Sequence, residues 1–188
     1  MNIISRTRHS VVADLEPLTF ASRLVGVWIL VAYTDEQPDG DDTHPFGPRP
    51  QGFLVYTADG FVSAQLMKPG RPAFHSSDWR HGTPDEYQDT GSGYIAYCGT
   101  YEVDEEQATV THIPSVALLP NLILGRQCRS IHLRTDRLTL RVAGTPIANG
   151  LYITSRLEWK RASSIALTHT LRGGKVLLEV SPKRVQAA

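Results

Sequence analysis

Residues 53–67 read FLVYTADGFVSAQLM. Two runs rich in β-branched and aromatic side chains, Phe53 to Thr57 and Phe61 to Met67, flank Ala58-Asp59-Gly60. Asp-Gly between such runs signals a β-hairpin, because both residues tolerate positive φ. Upstream, Val27 to Tyr33 has the composition of another strand. A short helix precedes it: Pro17 suits a first turn, and Leu18, Ala21, Leu24 and Val25 recur at helical spacing until Gly26. Between the strands, DEQPDGDDTHPFGPRPQ holds four prolines and must be a long loop of the kind that forms lids.

Downstream, Thr83-Pro84-Asp85-Glu86 combines a capping threonine, a first-turn proline and a returning glutamate, which predicts a second short helix. From Tyr94 onward the pattern is β. Tyr94 to Val103 and Thr109 to Ile113 flank one turn, Gln127 to Leu133 and Leu138 to Val142 flank another, and Tyr152 to Trp159 follows. About eight short strands joined by hairpins predict an antiparallel up-and-down sheet, closed or nearly closed into a barrel to remove its exposed edges. Residues 1–16 read as a flexible arm, 17–161 as the barrel, and 162–188 as an extension with a candidate hairpin around Gly173-Gly174 that can join it.

Composition narrows the function. In 188 residues, 19 basic side chains balance 19 acidic ones, so no global field draws nucleic acid or an anionic membrane. Fifteen glycines and 12 prolines with 20% charged residues argue against a helical bundle. Cys98 and Cys128 form no C-x-x-C pair and read as thiols of a reducing compartment, and no apolar run reaches signal or membrane-span length, which points to the cytoplasm. The seven histidines are scattered without metal-ligand spacing, and no nucleophile elbow or phosphate loop occurs, so the expectation is no metal and no cofactor.

Alternation sorts the faces. The turn after Asp104 sets Val103 opposite Val110 and Tyr101 opposite His112, while the next hairpin pairs Leu133 with Leu138, Ile131 with Leu140 and Arg129 with Val142. That mostly apolar face points inward and gathers Tyr101, His112 and Arg129. Such a trio suits acid–base catalysis: a histidine titrates near neutrality, an internal guanidinium stabilises an enolate or carboxylate, and a phenol donates a proton. The same residues also suit a satisfied polar pair, and a one-residue slip would turn them outward. Tyr97 shares the parity of Tyr101 and is a ligand-binding candidate. In the first hairpin Tyr56, Ser63 and Gln65 read as one face and Phe53, Val55, Val62, Ala64 and Leu66 as the other, and either can line a pocket.

Several blocks carry a family resemblance. Gly26-Val27-Trp28 resembles the G-x-W signature of lipocalin and calycin barrels. PFGPRPQGFLVYTADGFVSAQLM, TPDEY, GYIAYCGTYEVDEE, THIPSVALLPN and LEWKR together resemble the bacterial and fungal lipocalin-like domain family over roughly residues 22–161. The resemblance implies a small antiparallel barrel with an internal pocket and an association with small-molecule biosynthesis. It also implies a structural pair, Trp28 packed against Arg161. The expected function is a cofactor-independent isomerase, cyclase or hydro-lyase acting on a hydrophobic, oxygenated secondary-metabolite intermediate. The alternative is a carrier in which Arg129 anchors a carboxylate, and homo-oligomerisation stays open.

Overall fold

A computed structural model of the chain describes residues 18–38, 40–146, 152–163, 168–172 and 175–179. Eight antiparallel strands follow one another around a closed barrel: β1 (Gly26–Glu36), β2 (Gln51–Tyr56), β3 (Phe61–Met67), β4 (Tyr94–Asp104), β5 (Thr109–Ala117), β6 (Gln127–Leu133), β7 (Arg137–Pro146) and β8 (Tyr152–Arg161). β8 pairs back onto β1, so the sheet has no free edge. Eight strands enclose an interior just wide enough for side chains or one small ligand. Two further strands, β9 (Thr168–Arg172) and β10 (Lys175–Glu179), pair with each other in a separate two-stranded sheet, and the barrel closes without them. The arm expected over residues 1–16 lies outside the described residues. No helix among the described residues is long and apolar enough to cross a membrane.

The helix α1 (Phe20–Leu24) begins later than its apolar spacing suggests, because Thr19 supplies the cap: its hydroxyl accepts from the Ser22 amide at 3.1 Å. Glu105, in the β4–β5 turn, accepts from the amides of Phe20 and Ala21 at 2.7 and 2.9 Å and ties the helix across the barrel floor. Leu24 and Trp28 are fully buried there. The Trp28 indole donates to the Leu24 carbonyl at 2.8 Å, and the Arg161 guanidinium lies 4.1 Å from the centre of its ring system. Arg161 also donates to the Val25 carbonyl at 2.9 Å and to the Arg23 carbonyl, so the cation closes the floor as both a stack and a clamp.

At the other end, the proline-rich loop is pinned rather than free. Asp35 and Thr43 exchange backbone hydrogen bonds, and Phe46 is buried edge-on against Tyr33 at 5.4 Å between ring centres. The helix α2 (Pro84–Ser92) carries the expected capping box between Thr83 and Glu86. Hydrogen bonds from the Thr83 and His75 amides, with the His75 side chain, hold the Glu86 carboxyl at about 2, below the usual carboxylate range.

Register corrects one face assignment. Tyr56 pairs with Val62 and Leu54 with Ala64, so these residues share the inward face; Val55–Ser63 and Phe53–Gln65 form the outward one. Tyr56 therefore parts company with Ser63 and Gln65. The reason is the turn: the first pair across it is Tyr56 with Val62, which puts even-numbered residues of both strands on one face.

Candidate functional site

The inward side chains do not fill the barrel. A cavity of about 160 Å³ remains in the half away from Trp28. Leu54, Ala64, Leu66, Leu140, Leu157 and Trp159 supply its apolar wall, and Leu122, in the short 3₁₀ segment after β5, also borders it. Its polar groups are Tyr33, Tyr97, His112, Gln127, Arg129 and Ser155.

His112 is the centre of this arrangement. It pairs with Tyr101 on β4 and with Gln127 on β6 and has no exposed surface. Both ring nitrogens are engaged by phenols: Tyr56 Oη lies 2.6 Å from Nε2 and Tyr97 Oη 2.7 Å from Nδ1. Burial, reinforced by the nearby Arg129 charge, holds the imidazole well below its ordinary pKa and therefore neutral at pH 7. A neutral imidazole has one donor and one acceptor, so one phenol donates to the ring while the other accepts from it. Burial raises the pKa of both tyrosines, most strongly that of Tyr56, and so keeps them as neutral phenols, while the Arg129 charge opposes that rise at each.

Arg129 faces Val110 directly across β5–β6 and reaches the cavity. Its guanidinium stands 5.9 Å from the Tyr97 ring centre and donates to the Gln127 carbonyl at 2.7 Å. No carboxylate among the described residues forms an ion pair with it. A cation lining a mainly apolar cavity without a counter-ion is poised to take an oxygen-bearing ligand group. Trp159 adds a second donor: its indole Nε1 is buried without a hydrogen-bond partner among the described residues.

The structure brings together His112, Tyr97, Arg129 and Tyr56, and separates the rest. Tyr56 is the second support of His112, beneath the cavity wall. Tyr101 sits opposite His112 in register, but its hydroxyl donates to the Thr57 carbonyl at 2.9 Å and its ring packs edge-on against Tyr56, so it joins neither the imidazole nor the cavity. Ser63 and Gln65 point away from the interior, where Gln65 accepts from the Tyr94 hydroxyl. Sequence reading missed Tyr33, Gln127, Ser155 and Trp159. Gln127 was legible as the residue with the parity of Arg129. Tyr33 was not, because the register shifts between Leu30 and Ala32 and moves the inward face of β1 from even to odd positions.

The chain is similar in sequence to known proteins. The 4'-hydroxy-3'-methoxypropiophenone carrier protein of Aspergillus oryzae (strain ATCC 42149 / RIB 40) is 29% identical over 106 residues, which make up 53% of this chain and 96% of that protein. The family model for the lipocalin-like domain matches residues 25–162, from the end of the floor helix to the end of β8. With its G-x-W strand, closed eight-stranded barrel and internal cavity, the chain belongs to the lipocalin-like domain family.

Proposed function

We propose that the barrel binds one small hydrophobic molecule bearing an oxygen function, with that oxygen on Arg129 and Tyr97 and its carbon skeleton against Leu54, Leu66, Leu140 and Trp159. The observation that carries this reading is the Arg129 guanidinium, which has no ion-pair partner among the described residues and borders a largely apolar cavity. The relative's printed name supports an aryl ketone as the first compound to try. Titration of 4'-hydroxy-3'-methoxypropiophenone, followed by the quenching of tryptophan fluorescence, is expected to saturate, and Arg129→Leu to weaken binding tenfold or more. Equal affinity of the two proteins for every oxygenated aromatic tested sinks the proposal.

A second reading rests on the Tyr97–His112–Tyr56 chain, which is more than an apolar carrier requires. Here Tyr97 gives a proton to the bound molecule and is reprotonated by His112, which takes a proton from Tyr56; the proton that the molecule releases later in an isomerisation, cyclisation or dehydration returns by the same route and restores all three groups. Tyr97→Phe is then expected to retain binding within a few-fold and to abolish turnover. Binding without turnover by the native protein favours the carrier.

A further inference from the structure

The register also reveals an outer surface with its own chemistry. Two rows of paired residues run across the outside of β1–β5. One is Val27, Val55, Ser63, Cys98 and Val116; the next is Ile29, Phe53, Gln65, Ala96 and Leu118, the last joined through its amide to the Ala96 carbonyl at 2.8 Å. Neither row contains a charge. Val116 is 64% exposed, Phe61, one row away on β3, is 54% exposed, and Val27, Val31 and Phe53 are each exposed by about two-fifths. The outside of β6–β8 has the opposite character, carrying His132, Arg137, Arg141, Arg156, Glu158 and Lys160.

The patch is prepared for burial. Its polar side chains satisfy one another: the Tyr94 hydroxyl donates to Gln65 Oε1, and Gln65 Nε2 donates to Ser63 Oγ at 3.5 Å. Covering them costs less than covering polar groups with no partner at all. Past Val116, Leu118 and, in the segment after β5, Leu119, Ile123 and Leu124 are exposed as well. Nine large apolar side chains on these elements are each at least 38% exposed, a density that marks an interaction surface rather than scattered single exposures.

We propose that this face is a homodimer interface, with two copies packed outer sheet on outer sheet about a two-fold axis. The two rows themselves carry no charge, and cations stand only at their margin, Lys160 beside Ile29 and Arg71 over the Tyr94 ring, so the centre of the face selects neither an acidic nor a basic partner. It is complementary to itself, as a two-fold contact requires, and the chain's formal net charge of zero sets up no repulsion between copies. Facing sheets interdigitate such rows at a spacing of about 10 Å.

The proposal is independent of what the cavity binds, and the native full chain tests it. Sedimentation velocity from about 1 to about 100 μM is expected to show twice the chain mass at the upper end. Cys98, in the first row, is expected to be alkylated at least tenfold more slowly at the higher concentration, while Cys128, exposed on β6, reacts at a constant rate. Phe53→Lys combined with Val116→Lys is expected to give a monomer with unchanged far-UV circular dichroism. A native monomer throughout that range overturns the proposal, as does a double variant that still dimerises. Protection of Cys98 in a monomer overturns it too, assigning the cover to a segment of the same chain.

Discussion

His112 shows how a single buried side chain ties stability to the site. Its two phenol partners are buried with it, so replacing the imidazole by an apolar group leaves two hydroxyls unsatisfied. His112→Leu is expected to cost roughly 2–5 kcal/mol in a denaturant titration. The pH dependence has a definite sign. The folded-state pKa lies well below the unfolded value of about 6.5, so above that value the histidine is neutral in both states and contributes no slope. Below about pH 6.5 the unfolded chain takes up the proton first, and stability falls by up to about 1.4 kcal/mol per pH unit until the folded pKa is reached. Melting temperatures between pH 7.5 and 5 are expected to decline in the native protein and much less in His112→Leu. Equal slopes in the two would show that other groups set the dependence.

At the level of elements, three glycines determine where strands can run. Gly26 opens β1 at a φ of +129°, and a Cβ there would sit 2.9 Å from Arg161 Nη1, the atom that donates to the Val25 carbonyl. Gly26→Ala therefore strains the backbone and displaces the clamp over Trp28, at an expected cost of about 2–4 kcal/mol by thermal denaturation. Gly60, in the β2–β3 turn, has a φ of +89° but open space around it, so Gly60→Ala is expected to cost only about 1–2 kcal/mol. A smaller effect at Gly26 than at Gly60 would mean that the clamp contributes little. Gly99 is confined differently: a Cβ would meet the Ile113 carbonyl oxygen at 2.1 Å, next to the irregularity in register that lets Val116 face outward. These elements were legible in outline. The hairpin at Asp59-Gly60, the capping box at Thr83 and the pairings of Tyr101 with His112 and Leu133 with Leu138 all follow from local chemistry and period-two alternation. The start of α1 did not, because a capping hydroxyl outweighed a first-turn proline.

For the whole molecule, closure divides the interior into a packed floor and a hollow upper half. Ala64 is buried, faces the cavity and is flanked in register by Leu54 and Tyr97. Ala64→Leu is expected to place three more carbon atoms in that space, holding or raising stability by up to about 1 kcal/mol while abolishing ligand binding. Melting temperature and ligand titration measured on the same sample check both halves, and retained binding would place the ligand elsewhere.

The sequence by itself determined the antiparallel barrel, the positions of most hairpins and the inward parity of His112, Tyr97 and Arg129, because strand alternation and turn chemistry act over a few residues. Only the tertiary structure decided which polar groups meet. Tyr56 reaches His112 from a strand more than fifty residues earlier in the chain, Tyr33 faces inward through a change of register, and Ser63 and Gln65 lie outside, next to Cys98 and Phe53. Those relations depend on closing β1 onto β8 and on one-residue shifts of register, which local pattern leaves open and which only the packed interior fixes.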